Sequence, residues 1–252
     1  MDQSKPRRPS EAREKTGDAV ITRDVGVLQP GYLPWMGYFD LAALSNVFVI
    51  YDDVQFDKGG WRNRNRLLAN GQPQWITVPV AQGLGRNINQ VVLPQSSWQK
   101  KHLQTIRTLY GRAPYFSQVF PHIEKYLTRK NYTNLLDLCI EGHHTLCGLL
   151  DIRTEIRLSS DIGYEGIGKT ERLVAICRSL AATRYIATNA SKVYMEDHMW
   201  QEAGIDLVYQ DYHHPMYEQF GRPFVSHLSI IDALMFAGPD TRAHIGVSLA
   251  SP

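Results

Sequence analysis

Val25-Gly-Val-Leu-Gln-Pro-Gly-Tyr-Leu-Pro-Trp35 is the segment that decides the fold class of this chain. Its first four residues are a short apolar run that ends in turn residues, which predicts a buried β-strand. Two prolines and a glycine then prevent regular structure, and Pro34 can serve as the first residue of a helix that continues to about residue 46. The segment therefore predicts a strand, a loop and a helix.

The alternation of strands and helices continues along the chain. Further strands are predicted at Val47–Tyr51, Trp75–Val80, Val91–Leu93, Thr154–Leu158, Tyr185–Thr188 and Asp206–Tyr209. Later helices are predicted at Thr170–Leu180, Met195–Ala203 and Ile230–Phe236, and the pattern from 98 to 150 is helical with breaks near 113–114 and 130–131. This order predicts an α/β fold: an open, mostly parallel Rossmann-like sheet with helices on both faces and a helical insertion at about 98–150.

Composition restricts the organisation and the class of the protein. Residues 1–24 carry charges of both signs and few apolar side chains, so we expect a disordered tail before one domain over 25–252. The formal net charge of +2 argues against nucleic acid as the main partner. Three widely spaced cysteines, without a CxxC motif, indicate buried thiols in a reducing compartment. With no signal peptide and no membrane span expected, the prediction is a cytoplasmic protein with no membrane partner. The sequence does not determine the oligomeric state.

The loop Gln29–Gly37 is the strongest functional signal. Short strand-to-helix loops usually hold two to six polar residues, whereas this one is rich in aromatic residues and proline. Tyr32 and Trp35 offer flat faces for a base or sugar ring, and Gln29 offers an amide. The alternative is that Trp35 and Tyr38 pack the helix onto the sheet.

A second candidate segment follows the second predicted strand. Asp52 and Asp53 precede several cations, so the segment is either a self-paired surface loop or a site for a metal, an amine or a phosphate. Alternation in an extended segment places Arg62 and Arg64 on one face, where a pair of guanidinium groups suits pyrophosphate or carboxylate.

Two later segments add candidates. Asn189 or Ser191 can cap a helix, and Lys192 beside them can neutralise a phosphate. His227 is the best general-base candidate because histidine titrates near neutral pH. Ser229 and Asp232 fit a helix cap and its first-turn acid better than a catalytic triad, because no GxSxG elbow is present. We also identify no GxGxxG, Walker or HExxH motif, and so expect neither a nicotinamide dehydrogenase, a P-loop enzyme nor a zincin.

Five ordered motifs resemble those of the WbqC-like family. That family has a QPxYxPWxGYF opening, then DDVQF with WxNRN, TVPV, a G/S-K-x-Y segment, and a closing YxQ with LSIID. The corresponding segments here are Gln29–Phe39, Asp52–Asn65, Thr77–Val80, Ser191–Met195 and Tyr217–Asp232. The match covers nearly all of the chain after residue 24.

The resemblance implies a function connected with surface polysaccharide, including O-antigen, or modified amino sugars. It implies transfer of an acyl or aminoacyl group onto a nucleotide-linked sugar. The first strand, loop and helix also resemble the nucleotidyltransferase and pantoate-ligase type of α/β fold. Those enzymes carry a histidine pair for ATP phosphates where this chain has Tyr32–Trp35, so the departure argues against adenylyl transfer and leaves nucleotide binding open.

Three hypotheses result. The first is a transferase or ligase that modifies an amino group on a nucleotide-activated sugar, a small-molecule substrate. The second is a nucleotidyltransferase-like enzyme that uses ATP with magnesium, with Asp52 and Asp53 near the metal. The third is a noncatalytic binding or assembly protein whose aromatic residues face another polypeptide.

The candidate residues are expected to converge on one cleft. Asp53 or His227 accepts a proton from the attacking amine and Lys192 holds phosphate, and no residue is assigned as a resident metal ligand. The substrate-binding candidates supply amides, aromatic rings and guanidinium groups, and they are Gln29, Tyr32, Trp35, Gln55, Trp61, Arg62, Asn63, Arg64, Asn189, Ser191, Tyr194, Tyr217 and Gln219.

Overall fold

Five parallel strands form the central sheet of the computed structural model, which describes residues 22–166, 168–221 and 223–247. The strands are β1 (Asp24–Leu28), β2 (Val47–Ile50), β5 (Glu155–Leu158), β6 (Arg184–Ala187) and β7 (Asp206–Tyr209). Their spatial order is β5-β2-β1-β6-β7, and every neighbouring pair is parallel. The predicted open Rossmann-like sheet is confirmed. Most of the predicted N-terminal tail lies outside the described residues.

Helices cover both faces of this sheet because its strand residues alternate between two apolar clusters. In β2, Phe48 and Ile50 belong to the larger cluster, and Val47 and Val49 belong to the smaller one. The larger cluster includes α1 (Met36–Leu44) and α8 (Ile230–Ala237), and the smaller includes α6 (Lys169–Ser179) and α7 (Asp197–Ala203). A short helix, α5 (Ser159–Ile162), follows β5 directly.

Glycine at position 26 lets α1 lie close to β1. A Cβ atom built on Gly26 would lie 2.5 Å from Ser45 Oγ and 3.2 Å from Leu41 Cγ, which is closer than a packed side chain tolerates. Residue 26 therefore has to be small for the first strand–loop–helix unit to close.

A helical insertion separates the first two strands from the last three. It consists of α2 (Trp98–Tyr110), α3 (Phe116–Thr128) and α4 (Leu135–Leu149), and Asn134 caps α4 by accepting from the amides of Leu136 and Asp137. The predicted insertion and both of its breaks are confirmed. Two of the three cysteines, Cys139 and Cys147, lie on α4, and all three are buried free thiols as predicted.

The segment between β2 and α2 contains corrections to the predicted strands. An antiparallel hairpin, β3 (Arg64–Ala69) with β4 (Gln72–Thr77), occupies this part, and β3 was not predicted as a strand. β4 begins and ends three residues earlier than the predicted Trp75–Val80. The predicted strand Val91–Leu93 is wrong, since Val92 forms only isolated bridges with Gln82 and Asn134.

A buried carboxylate fixes α8 against the segment that precedes it. Asp232 accepts hydrogen bonds from Tyr110 (2.9 Å), Tyr217 (2.8 Å) and Gln219 (2.6 Å). Burial nevertheless raises the pKa of Asp232 from 3.8 to about 6, while the three hydrogen bonds lower it. The charged carboxylate therefore costs stability that its neutral form does not.

This carboxylate predicts a pH dependence of stability. Between pH 4 and pH 6 the folded chain holds a proton on Asp232 that the unfolded chain releases, so the contribution of Asp232 to stability falls as pH rises. We expect a fall on the order of 1 to 3 kcal/mol across this window. Urea unfolding of the wild type and Asp232→Asn at pH 4, 5, 6 and 7 measures it. Parallel pH profiles for the two proteins would contradict the prediction.

Within the described residues, no helix combines the length and apolar character needed to cross a bilayer.

Candidate functional site

A cavity of about 460 Å³ lies where the strand order of the sheet reverses. From β1 the chain passes first to β2 on one side and later to β6 on the other, and open α/β sheets bind ligands beyond the strand ends at such a point. The cavity is lined by Val27, Leu28, Gln29, Tyr51, Val54, Gln55, Gly168, Lys169, Arg172, Leu173, Tyr185 and Tyr194. Its polar groups are therefore two amides, two cations and three phenols.

The cations of this cavity come from the first turn of α6. Lys169 is exposed, with its Nζ 5.1 Å from the ring centre of Tyr194. Arg172 is half-buried, and its Nε donates to the carbonyl of Gly166 at 3.0 Å. No carboxylate is among the lining residues. An anion that enters the cavity therefore meets two positive charges and no negative charge on its walls.

Asp53 is connected to the cavity through two tyrosines. Tyr164 Oη donates to Asp53 Oδ2 at 2.8 Å, and the neighbouring side chains of Tyr164 and Arg172 favour the ionised form of Tyr51, which lowers its pKa against the effect of burial. Burial raises the pKa of Tyr51, and burial followed by the hydrogen bond to Asp53 raises that of Tyr164. Both phenols therefore stay protonated at neutral pH and join the cavity wall to a carboxylate.

Asp52 performs a structural task. It is completely buried, and its oxygens accept from Asn89 Nδ2, Ser159 Oγ, Ser160 N and Ser160 Oγ at 2.7 to 3.1 Å. Ser159 Oγ also lies 2.5 Å from Asp53 Oδ1, and its one proton can serve only one carboxylate at a time. Four donors leave Asp52 no room for a cation, so the hypothesis of magnesium beside Asp52 and Asp53 does not fit this arrangement.

Tyr32 does not have the open face that the sequence led us to expect. Its side chain is completely buried, and its hydroxyl lies 2.9 Å from Nδ1 of His102 on α2. Burial lowers the pKa of His102 to about 4, so the imidazole is neutral at physiological pH. The prediction that Tyr32 stacks on a ligand is wrong, because the helical insertion covers its ring.

Trp35 is half-buried and lies away from the cavity. Its ring stacks on His227 with 5.3 Å between ring centres and meets the edge of Tyr212 at 5.0 Å. It also lies over Gly37, where an added Cβ atom would come within 2.3 Å of the indole. The packing alternative for Trp35 therefore accounts for its contacts.

The predicted arginine pair is not formed. Arg62 is largely buried and pairs with Asp57 at 3.3 Å, whereas Arg64 lies over the ring of Trp75, 4.1 Å from its centre. Trp61 packs on the same Trp75 ring. Asn63 is buried and donates to the carbonyl of Val78 at 2.7 Å. The two guanidinium groups therefore have different partners, Asp57 for Arg62 and Trp75 for Arg64. Asn63 and Arg64 line a second cavity beside the hairpin.

The segment after β6 is a 3-10 helix over Asn189–Val193, preceded by Thr188. Ser191 is buried, and its hydroxyl donates to the Thr188 carbonyl at 2.7 Å, while Asn189 is exposed. The prediction that Asn189 or Ser191 caps the helix is wrong, because Thr188 occupies the cap position. Lys192 lies over Tyr209, 4.7 Å from its ring centre, and Tyr194 alone of these candidates lines the cavity.

The candidates near the C-terminus form two local structures. Tyr217 and Gln219 bind the carboxylate of Asp232, as described above. His227 lies between Trp35 and His214, and both burial and the nearby Arg66 lower its pKa. Ser229 Oγ accepts from the amide of Ile231 at 3.3 Å, which confirms the helix cap.

The expected convergence on one cleft is therefore wrong. The structure brings together Gln29, Gln55 and Tyr194, with Asp53 behind the wall. It places Asn63 and Arg64 at the second cavity, and Trp35 with His227 in an aromatic stack. The sequence reasoning missed Tyr51, Lys169 and Arg172, which supply the phenol and the cations of the first cavity.

The sequence contains a signal for one of the two cations, Lys169. Residues 163–170 read Gly-Tyr-Glu-Gly-Ile-Gly-Lys-Thr, which fits the Walker spacing GxxxxGKT, so the conclusion that the chain lacks such a motif is wrong. The structural context differs from a P-loop. Helix α5 separates the segment from the edge strand β5, and the buried Thr170 hydroxyl donates to the Tyr194 carbonyl at 2.9 Å. The segment still brings Lys169 to the cavity.

Comparison with known proteins identifies similar sequences. A family model described as the WbqC-like protein family matches residues 29–244. The chain is 34% identical over 223 residues to the uncharacterized protein Rv1507c of Mycobacterium tuberculosis (strain ATCC 25618 / H37Rv), and the match covers 86% of this chain and 95% of that protein. No solved structure matches the chain. The matched range contains the loops after β1, β2 and β6 and the first turn of α6.

Proposed function

The chain belongs to the WbqC-like protein family, and on that premise we propose that it is a transferase that modifies an amino group on a nucleotide-linked sugar. The observation that carries the proposal is the composition of the cavity at the strand-order reversal: two cations, two amides and no carboxylate on its walls. This composition suits a phosphate-bearing ligand with a polar body.

The groups of the cavity divide by chemistry. Lys169 and Arg172 bind the diphosphate, since charged hydrogen bonds to phosphate are the strongest that these side chains make. Gln29 and Gln55 bind base or sugar atoms through their amides. This assignment moves the phosphate site from the predicted Arg62, Arg64 and Lys192 to the first turn of α6.

Asp53 takes up the proton of the reaction. An amine that attacks an acyl carbon forms a new N–C bond, the bond from that carbon to its leaving group breaks, and the nitrogen releases one proton. Tyr51 and Tyr164 pass this proton from the cavity to Asp53, and the leaving group takes a proton from solvent. Asp53 is preferred to His227 because Asp53 accepts a hydrogen bond from Tyr164, a neighbour of the cavity residue Tyr51, whereas His227 lies in the aromatic stack with Trp35.

Asp53→Asn tests this role separately from binding. We expect nucleotide-sugar affinity to change less than threefold, because Asp53 does not line the cavity, while turnover falls about 100-fold or more. Calorimetry measures the affinity, and amide formation on the amino sugar measures turnover. An Asp53→Asn protein with wild-type turnover would remove Asp53 from the mechanism.

A thermal-shift panel tests the proposed function. It contains UDP- and dTDP-linked amino sugars, ATP and coenzyme A. At 100 times Kd a ligand stabilises by about 2.7 kcal/mol, which for a chain of this size raises Tm by about 5 to 10 °C. We expect such a shift from at least one nucleotide sugar. No increase in Tm with any compound of the panel would contradict the proposal.

ATP is the second candidate ligand, and one observation favours it. The glycine-rich segment 163–170 has Walker spacing and brings Lys169 to the cavity. A shift from ATP alone, with pyrophosphate released in the presence of an amine or sugar-phosphate acceptor, would support the nucleotidyltransferase hypothesis in place of the first.

A further inference from the structure

A second cavity, of about 640 Å³, lies between the β3–β4 hairpin and the loop that follows it. Its lining combines apolar, polar and cationic residues, namely Phe56, Lys58, Gly59, Asn63, Arg64, Thr77, Val78, Pro79, Val80, Ala81, Gln82, Gly83, Leu84 and Arg86. The proposed function makes no use of this space.

The charges at this cavity all have one sign. Lys58, Arg64 and Arg86 line it, and no carboxylate does. Among the described residues, none of these three cations forms an ion pair with an acidic side chain. The cavity is therefore complementary to an anion.

One of the cations is held in place. Arg64 lies over Trp75, its Nε donates to the carbonyl of Gly60 at 3.2 Å, and its Nη2 donates to that of Gly59. These contacts use backbone and ring acceptors, so the positive charge itself is not neutralised. An anion beside Arg64 then meets a guanidinium group that has already lost most of its freedom.

Most of the other side chains that line the cavity are apolar. Leu84 is 73% exposed and Pro79 and Val80 are partly exposed, and the buried side chains of Val78 and Phe56 belong to the same lining. A small inorganic anion would leave this surface in water, whereas an organic anion with an apolar body covers it. The lining thus favours a ligand that has both a negative charge and an apolar body.

The two cavities share a wall. Val54 and Gln55 line the first cavity, and the next residue, Phe56, lines the second together with Arg86. The wall is fixed by hydrogen bonds from Phe56 N to Arg86 O and from Ile88 N to Val54 O, both 2.9 Å. Ligands in the two cavities are therefore separated by the thickness of one pair of chain segments.

From this arrangement we propose that the hairpin cavity binds an organic anion with an apolar body. In the transfer reaction this anion would carry the acyl group. That role rests on the proposed function above, but the binding of the anion does not.

Isothermal titration with three probes tests the binding. Phenyl phosphate has both properties, inorganic phosphate has only the charge, and benzyl alcohol has only the apolar ring. We expect phenyl phosphate to bind at least about 10-fold more tightly than either of the others, because the cations and the apolar wall both contribute to its binding. Equal affinity of phenyl phosphate and inorganic phosphate, or no binding of phenyl phosphate, would overturn the proposal.

Variants locate the bound probe. Arg64→Gln and Arg86→Gln should each weaken phenyl phosphate about 10-fold, and Arg112→Gln, an exposed arginine beside Phe220, should leave it unchanged. Arg86 is exposed, so its variant remains informative if Arg64→Gln unfolds the hairpin.

The outcome is independent of the first cavity. The double variant Lys169→Gln with Arg172→Gln should keep full affinity for phenyl phosphate while it loses nucleotide-sugar binding. If phenyl phosphate instead depends on Lys169 and Arg172 and ignores Arg86, the present proposal fails and the proposed function stands. If nucleotide sugars do not bind but phenyl phosphate binds through Arg86, the proposed function fails and the present proposal stands.

Discussion

Asp52→Ala is expected to lower the free energy of unfolding by about 3 to 5 kcal/mol. The substitution removes a fully buried acceptor and leaves the side-chain amide of Asn89 and the amide and hydroxyl of Ser160 without this partner, while the Ser159 hydroxyl can still donate to Asp53. Ser159 and Ser160 join the residues after β2 to the start of α5, so the loss also loosens one side of the first cavity. Urea unfolding followed by circular dichroism measures the change.

A surface carboxylate provides the control for this prediction. Glu155 lies on the edge strand β5 and forms an exposed pair with Arg157 at 3.5 Å. Glu155→Ala should change the free energy of unfolding by less than about 1 kcal/mol. Equal effects of the two substitutions would mean that the network around Asp52 contributes no more than a surface charge.

The double variant Lys169→Gln with Arg172→Gln should weaken nucleotide-sugar binding by at least about 100-fold. Each charged hydrogen bond to phosphate contributes about 1.5 to 3 kcal/mol, and two of them are lost together. The pair is on one helix turn, and its removal leaves the amides and phenols of the cavity in place. Isothermal titration with the nucleotide sugar that gives the largest thermal shift measures the loss.

Arg178→Gln is the matched control, because Arg178 is exposed in the last turn of the same helix. It should bind like the wild type. Because Arg172 also donates to the carbonyl of Gly166, Lys169→Gln alone serves as a second variant that leaves this loop contact intact. Affinity unchanged in both Lys169→Gln and the double variant would contradict the assignment of the phosphate site.

The three inner strands of the central sheet, β1, β2 and β6, were predictable from the sequence because they are buried on both faces. Val47–Ile50 is apolar throughout, and such runs between turn residues predict parallel strands. The hairpin was harder to predict. Arg64–Ala69 contains three polar and three apolar residues in blocks, without alternation, and its partner strand, not its own pattern, fixes its conformation.

The site was predictable only in part, for a physical reason that Tyr32 illustrates. An aromatic residue in a loop after a strand can face a ligand or the core, and local sequence does not distinguish the two. His102 and Trp98, about seventy residues later in the chain, cover the Tyr32 ring. Lys169 and Arg172 lie in the first turn of α6, beyond α5, so the rule that places ligands in the loops directly after strands does not select them.

A crystal structure with a bound UDP-linked amino sugar tests the central claim most directly. The account predicts diphosphate oxygens within hydrogen-bond distance of Lys169 Nζ and the Arg172 guanidinium group, with the nucleotide in contact with Gln29 and Tyr51. Density for the nucleotide at the hairpin or on another face, with the cavity beside β1 and β6 empty, would contradict it.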